Sequence, residues 1–509
     1  MLNILKHIAF VLFVVAVALA IPDRALGESS RDAFVIVGII GMWRYSWGLL
    51  HFVRCLWFKL IVFPRARRAA DAAAEQNSFG HSFLLVTSFR IDAETTSKVY
   101  SAAFEAAARS PGGGTVVASI VEMSDERLIQ RLADVAYGAN KPFRLKFVRI
   151  PGTGKRDALA NGMMAIVGFK PGRNDTVAFI DGDSIVPPDI VEKCASIFFL
   201  DQNIGALTTD EICTVEGAEI FKHWYSLRFA QRNILMSSHG LAQRVLTLTG
   251  RMSMFRASLA CDPGFINQIQ NDYISHWRLG RIRMLTGDDK STWYWMLACG
   301  YKTCYVPDVQ VQTIEQPPSR SFVRSAAVLM TRWFGNMLRT NSRAIALGPL
   351  RISTFTWWSI IDQRLSMWTC LSGLVLTALG CLIISPWVIA YYFLWVLVSR
   401  YILTLSLLVS RPSVSLTYVP LLYFNQVFGS IVKIYVFFRL DRQKWTRQKT
   451  SLSVRSSSRE TLVKIWSSRL MTAVAVVAYV SALAVLTGLS QRQVSSLPLQ
   501  QTVKLEASQ

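Results

Sequence analysis

The stretch that decides the fold is Thr176-Val177-Ala178-Phe179-Ile180-Asp181-Gly182-Asp183-Ser184. A short apolar and β-branched run predicts a buried strand, and two carboxylates separated by one glycine follow it. Carboxylates at this spacing can splay around one divalent cation, and hard oxygen ligands suit a Mg²⁺ or Mn²⁺ that bridges nucleotide phosphates. Asp181 and Asp183 are therefore the predicted metal ligands. Taken alone, the pattern is more often an ordinary polar turn with an Asp-Gly signal, and after a strand of an α/β domain the two explanations are about equal.

Similar short runs surround this strand and alternate with helical stretches. This alternation predicts an α/β domain with a mostly parallel sheet at residues 65–351. The other predicted strands are Ser82–Thr87, Thr115–Val121, Arg144–Arg149 and Gly205–Thr209.

The apolar residues concentrate at the two ends of the chain. Of 509 residues 51% are hydrophobic, and the mean hydropathy of +0.31 is too high for an ordinary soluble protein. We predict two transmembrane helices within residues 1–64 and further ones within 352–509. The first run could also be a signal peptide, although an uncleaved helix is favoured. The apolar runs are Ile8–Ile21, Phe34–Phe63, Met367–Trp387, Ile389–Ser410, Val414–Phe438 and Leu470–Leu489.

Basic residues indicate which side of the membrane each segment faces. The loop at 439–469 contains nine Lys and Arg residues, so the positive-inside rule places it in the cytoplasm. The predicted α/β domain is placed there as well, so an even number of crossings must separate the two. We therefore expect Val414–Phe438 to lie flat or to re-enter.

The formal net charge of +22 fits nucleic acid, anionic lipid or an anionic substrate. The positive-inside rule explains most of it, and we predict no nucleic-acid partner. The eight cysteines form no C-x-x-C pair and no zinc spacing, which favours reduced structural thiols.

A second acidic motif, Gly287-Asp288-Asp289-Lys290, lies about a hundred residues after the first. Glycosyl transfer with inversion needs a base for the proton of the acceptor hydroxyl, and a carboxylate near the donor can serve. The same residues could instead cap the helix that follows, and both roles can hold together.

Two further segments contain residues suited to ligand binding. Lys155 and Arg156 follow a glycine-rich turn, where backbone N–H groups and positive charge would bind a diphosphate; a plain turn with a helix cap is the alternative. Arg332 and Trp333 could contact phosphate and stack on a sugar, or Trp333 could anchor the chain at the membrane interface.

These four sites occur in an order that resembles family-2 inverting processive synthases of cellulose, chitin and hyaluronan. The resemblance implies an A-type glycosyltransferase fold between transmembrane helices, with Asp289 as the catalytic base beside Asp288. Its further implied roles are base reading for Asp125, acceptor binding for the loop at Gly250, Arg332 and Trp333, and donor gating for Trp445 and Arg447 in the loop 439–469. Leu329 departs from the family, which has glutamine there.

The chain resembles most the catalytic subunits of alginate polymerases over residues 35–490. That likeness implies GDP-mannuronate as donor, a growing β-1,4-linked polymannuronate, and the bacterial inner membrane with the catalytic domain in the cytoplasm. It also implies a PilZ-domain co-polymerase that binds cyclic di-GMP, and periplasmic export machinery. The stretches that carry it are Gly41–Tyr45, Thr87–Arg90, Ser119–Glu126, Arg228–Arg232 and Lys433–Arg439.

Three other functions stay open on the sequence. The chain could transfer single sugars to a lipid acceptor, make another polysaccharide from a UDP-sugar, or be a transporter or scaffold with a degenerate catalytic domain. The intact acidic residues Asp181, Asp183 and Asp289 argue against the degenerate domain.

Overall fold

The computed structural model describes residues 2–21, 31–443 and 458–487. Within these residues, eight strands form one sheet in the order β3-β2-β1-β4-β7-β6-β10-β5, and β8 and β9 form a separate hairpin. The strands are β1 Ser82–Thr87, β2 Gly114–Ile120, β3 Phe143–Arg149, β4 Thr176–Asp181, β5 Ser184–Ile185, β6 Ile204–Val215, β7 Met252–Arg256, β8 Tyr273–His276, β9 Gly280–Arg283 and β10 Lys302–Glu315.

The centre of the sheet follows from the apolar runs. Strands β1 and β2 are buried at every residue, as strands covered on both faces must be. The neighbours β3, β2, β1 and β4 are all parallel, and Thr87 of β1 lies beside Asp181 of β4. The prediction of an α/β domain with a mostly parallel sheet is confirmed.

Strands β7 and β10 were not predicted. The segment 249–256, predicted as a loop, forms β7 from Met252 onward, antiparallel between β4 and β6. Strand β10 pairs in parallel with β6, which extends well beyond the predicted Gly205–Thr209. These strands mix polar and apolar residues, so they lack the continuous apolar run of β1 and β2.

Helices precede, separate and follow these strands along the chain. A π-helical turn, Phe58–Val62, connects α2 to α3. The first thirteen helices are α1 Leu2–Ala20, α2 Arg31–Trp57, α3 Phe63–Gln76, α4 Ala93–Ala108, α5 Met123–Tyr137, α6 Lys155–Val167, α7 Ile190–Phe198, α8 Glu219–Gly240, α9 Ala257–Ala260, α10 Pro263–Asn271, α11 Asp288–Ala298, α12 Phe322–Ala346 and α13 Pro349–Ile352.

The remaining helices of the described residues are mostly apolar. They are α14 Thr354–Thr369, α15 Ser372–Ile383, α16 Val388–Ser406, α17 Tyr418–Phe437 and α18 Ser458–Leu486, with a 3-10 turn at Leu407–Val409. By length and composition, five stretches of the described chain can cross a membrane, so this is a membrane protein. They are Gly38–Gln76, Thr354–Ile383, Val388–Val409, Tyr418–Phe437 and Arg459–Leu486, beside the shorter Ile4–Ala20.

Helix α17 corrects one prediction. It continues unbroken from Tyr418 to Phe437, so a re-entrant turn within it is wrong. Pro420 does not interrupt it, because a proline in the first turn removes no intrahelical hydrogen bond. That this helix lies flat in the membrane stays a prediction.

The described residues group into two compact units. The helical unit contains residues 2–21, 31–50, 363–439 and 458–487. The sheet unit contains residues 51–362 and 440–443, and the predicted domain 65–351 lies within it.

Arg256 at the end of β7 provides a test of how the sheet unit is held together. Its buried guanidinium donates to the carbonyls of Ile204 at 2.8 Å, Phe198 at 2.6 Å and Asp201 at 2.9 Å. Arg256→Met keeps the apolar stem but leaves these carbonyl oxygens without a donor. Each buried acceptor left unsatisfied costs about 1–3 kcal/mol of folding free energy. We expect the melting temperature in detergent to fall by roughly 2–6 °C. Exposed Arg173→Met is the control, and an equal melting temperature for both variants would contradict this role.

Candidate active site

A cavity of about 1000 Å³ opens in the sheet unit where the carboxyl ends of β1, β2 and β4 meet. Ligands of open α/β sheets bind at this edge, because loops after neighbouring strands converge there. Thr87, Val121 and Asp181 mark the three strand ends, and the cavity extends to α8 and α12.

The turn after β4 is fixed by its glycine. The Gly182 N–H donates to the Thr87 carbonyl at 2.9 Å. A Cβ at Gly182 would lie 2.7 Å from Ser88 Oγ and 2.8 Å from Thr87 O, which leaves no room for a side chain. Backbone thus presses against backbone here, and Asp181 and Asp183 both reach the cavity from either side of this glycine.

Lys155 joins the two acidic motifs. Its Nζ lies 2.5 Å from Asp181 Oδ1 and 2.9 Å from Asp288 Oδ2. Lys155 is the first residue of α6 and lines the same cavity. One ammonium group therefore brings together carboxylates that are about a hundred residues apart in sequence.

These charges shift one another's pKa values. Burial raises the pKa of Asp181 to about 6, with Lys155 opposing the shift and Asp183 adding to it. Burial would also raise the pKa of Asp288, but Lys155 and Arg156 hold it below its ordinary value. The pKa of Asp289 is raised, by burial and by its neighbour Asp288. Burial alone would lower the pKa of Lys155, but the negative charges of Asp181 and Asp288 outweigh burial and raise it.

The second acidic motif is held by Gly287. This residue has φ of +82°, a left-handed conformation that favours glycine, and a Cβ there would lie 2.8 Å from Asn336 Cγ. Gly287 occupies the N-cap position of α11, so the alternative that Asp288 or Asp289 caps this helix is wrong. Both carboxylates instead lie in its first turn and line the cavity.

Arg156 differs from the sequence prediction. Its guanidinium is buried and donates to Ile269 O at 2.7 Å, Thr286 O at 3.1 Å and Ser291 Oγ at 3.0 Å. It does not line the cavity beside Lys155. Because its N–H groups are directed at the 286–291 segment from behind, Arg156 supports the acidic motif and is not placed to contact a diphosphate.

A buried ion pair that the sequence did not indicate completes this support. Arg343 of α12 donates to both oxygens of Asp272, at 2.6 and 2.9 Å. The Ser291 hydroxyl of α11 also donates to Asp272. This network fixes α11 against α12, and so fixes Asp288 and Asp289 at its start.

The predicted acceptor residues Gly250, Arg332 and Trp333 all line the cavity, as does Leu329. We call the contact of Lys155 with Asp181 and Asp288 the Lys155 bridge. A Cβ at Gly250 would lie 2.8 Å from Lys155 Nζ and 3.1 Å from Asp181 Oδ2, so Gly250 packs directly on this bridge.

The predicted nucleotide-binding residues are only partly placed. Asp125 lies in the first turn of α5, half-buried, and is not part of the cavity lining. It interacts electrostatically with Tyr100, whose hydroxyl pairs at 3.2 Å with Ser88 Oγ on the cavity wall. Burial and nearby Glu122 raise the pKa of Asp125. Trp445 and Arg447 lie outside the described residues.

Comparison with known proteins identifies the family of the segment that forms this cavity. The family described as "Glycosyltransferase like family 2" matches residues 82–336, the segment that builds the sheet and the cavity. "Glycosyltransferase alg8" of Pseudomonas syringae pv. tomato is 47% identical over 89% of this chain and 92% of its own length. The protein of the same name from Azotobacter vinelandii is 44% identical over 91% and 94%.

The chain belongs to the family-2 glycosyltransferases.

This glycosyltransferase therefore has the predicted A-type fold among membrane helices. It acts with inversion, as is general in this family. A mannosyltransferase from Pyrobaculum calidifontis, solved in complex with GDP-Man and Mn²⁺, has a TM-score of 0.45 and 15% identity. The structural match covers 75% of this chain and 98% of the mannosyltransferase chain.

The acidic residues of this glycosyltransferase suit a divalent cation. Asp181 and Asp183 offer hard carboxylate oxygens at one wall of the cavity, and their mutual repulsion contributes to the raised pKa of Asp181. Bound positive charge would relieve it. The described residues contain no cluster of three or more His, Cys, Asp or Glu suited to a metal. Two carboxylates with diphosphate oxygens are a common environment for Mg²⁺.

Gly250→Ala tests whether the Lys155 bridge sets the activity of the glycosyltransferase. The added methyl group must displace Lys155 Nζ or Asp181 Oδ2, because both lie within about 3 Å of its position. We expect sugar transfer to fall by about 10²-fold, the usual effect of an ångström-scale misplacement. The control is Gly172→Ala, whose Cβ meets nothing closer than 3.6 Å. Equal activity of both variants would contradict the assignment.

Proposed function

We propose that this glycosyltransferase builds β-1,4-linked polymannuronate processively from GDP-mannuronate at the cytoplasmic face of the bacterial inner membrane. The observation that carries the proposal is the Lys155 bridge, because it places Asp181 and Asp288 beside Asp289 in one cavity with Arg332 and Trp333. The likeness to alginate polymerases supplies the identity of the donor and of the product.

Asp289 is the proposed catalytic base. It takes the proton of the acceptor 4-hydroxyl while that oxygen bonds to the anomeric carbon from the face opposite the leaving GDP. The C–O bond to the diphosphate breaks with its electron pair, so the leaving group gains negative charge. Asp289 suits this role because its raised pKa makes it a stronger base than an exposed aspartate. In addition, the Lys155 ammonium pairs with Asp181 and Asp288 and not with the Asp289 carboxylate.

Asp183, with Asp181, is the proposed holder of Mg²⁺ or Mn²⁺ on the donor diphosphate. When bound, such a cation neutralises the charge that develops on the leaving diphosphate. Lys155 keeps its positive charge in this cavity, and we propose that it adds to this stabilisation. Asp125 reads the base in this proposal, and Trp445 and Arg447 close on the donor.

The acceptor end of the growing chain lies against Trp333 in this scheme, with Arg332 and Gly250 beside it. Trp333 remains suited to stacking on a sugar ring because it lines the cavity.

The membrane helices of residues 1–64 and 352–509 would carry the polymer across the lipid bilayer, with the connection between α17 and α18 in the cytoplasm. The predicted loop 439–469 is shorter than expected, because α18 begins at Ser458. We further propose that a PilZ-domain co-polymerase that binds cyclic di-GMP regulates the chain, and that periplasmic export machinery receives the product.

Donor turnover in membranes that contain this chain and its co-polymerase tests the proposal. We expect long polymannuronate from GDP-mannuronate and none from UDP-sugars. Turnover of a UDP-sugar would keep the mechanism and overturn the donor. A product of one added sugar would indicate a non-processive transferase with a lipid acceptor.

Asp289→Asn tests the base. The amide keeps the shape but cannot take a proton, so we expect the transfer rate to fall by about 10²–10⁴-fold while GDP-mannuronate binding is unchanged. Asp71→Asn, at an exposed carboxylate of α3, is the control. Loss of donor binding in Asp289→Asn would overturn the role.

The pH dependence of kcat/KM gives an independent test of Asp289. A base must be deprotonated, so activity rises with pH through its pKa. Because burial and Asp288 raise that pKa, the acid limb due to Asp289 should lie above the ordinary value of 3.8 and be missing in Asp289→Asn, where a limb from Asp181, with its pKa of about 6, remains. An acid limb at or below that value in the unmodified chain would contradict the assignment.

A further inference from the structure

Arginines concentrate at the end of the cavity that faces α8 and α12. Arg228, Arg232, Arg251, Arg324 and Arg332 all line it. Cations this close together repel one another unless anions compensate them. The partner of each guanidinium therefore shows which arginines still have positive charge to offer a ligand.

Two of these arginines are neutralised in place. Arg251 lies 2.5 Å from Glu315 and 3.3 Å from Glu211, and Arg232 pairs with the same Glu211. Glu211 is almost fully buried, so these ion pairs are part of the cavity wall and offer little net charge to a ligand.

Arg324 is exposed in the first turn of α12, whereas Arg228 and Arg332 are only partly exposed and differ from the two paired arginines. Within the described chain, neither guanidinium donates a hydrogen bond to another residue or lies within 4.0 Å of a carboxylate. Glu315 attracts Arg228 only at longer range. Burial lowers the pKa of Arg228 to about 10, so it stays charged at neutral pH. An anionic ligand would provide the counter-ion that the wall does not.

The Arg228 guanidinium is held against tryptophan rings. It lies 4.1 Å from the Trp333 ring centre and 5.2 Å from that of Trp224, and the two ring centres are 5.7 Å apart. A guanidinium stacked on a ring keeps the N–H groups at its edge, and that edge matches a planar carboxylate in a two-bond contact.

We propose that Arg228, together with Arg332, binds the carboxylate of a uronic acid residue and so selects an acidic sugar over a neutral one. This inference rests on the proposed function and adds the residue that recognises the acid group. The carboxylate could belong to the end of the acceptor chain or to the donor sugar, and both present the same chemistry.

Binding of paired ligands to the full chain in detergent tests the proposal. Each uronate ligand is compared with its neutral counterpart: oligomannuronate with oligomannose, and GDP-mannuronate with GDP-mannose. In Arg228→Gln we expect affinity for one uronate ligand to fall by about 10–100-fold, with little change for its neutral counterpart. Loss confined to the oligomer assigns the acceptor, and loss confined to the nucleotide sugar assigns the donor.

Two further variants separate this role from a structural one. Arg228→Lys keeps the charge without the planar edge and should restore part of the discrimination. Exposed Arg320→Gln, outside the cavity, should leave binding unchanged. Equal losses for uronate and neutral ligands in Arg228→Gln, or no loss at all, overturn the proposal. If the unmodified chain transfers only neutral sugars, the proposed function fails as well.

Discussion

The contact between one ammonium group and two carboxylates determines how this active site is built. Lys155 Nζ reaches Asp181 from the end of β4 and Asp288 from the start of α11. Buried carboxylates repel each other and lose hydration, so they persist close together only with a cation between them. Without Lys155, the two acidic motifs would be driven apart or would take up protons.

Much of the surrounding structure serves to hold these charges in place. Gly182 and Gly250 allow backbone and side-chain atoms to approach within distances that a Cβ would prevent. Behind α11, Arg156 binds the carbonyl of Thr286, and Asp272 binds the Ser291 hydroxyl. The charged groups therefore need little rearrangement when a donor binds. Such preorganisation is the main source of electrostatic stabilisation of the transition state in enzymes.

The sequence was sufficient to predict the parallel centre of the sheet and the cavity residues Asp181, Asp183 and Lys155. Buried parallel strands are continuous apolar runs, and carboxylates or glycines at their ends stand out. Strand β10 was missed because it mixes polar and apolar residues. Arg156 was misassigned, because its neighbour Lys155 faces the cavity while its own side chain is buried. Arg228 lies in one of the stretches that carry the likeness to alginate polymerases, but the sequence indicated no role for it, since its position became informative only when the fold placed Trp333 beside it.

A double-mutant cycle between Lys155 and Asp288 tests the central claim most directly. Unfolding free energies, or melting temperatures where unfolding is irreversible, would be compared for Lys155→Met, Asp288→Asn and the double variant in detergent. The account predicts that the double variant loses less stability than the sum of the single variants, with a coupling of about 0.5–3 kcal/mol. Additive losses would show that Lys155 does not hold the two motifs together.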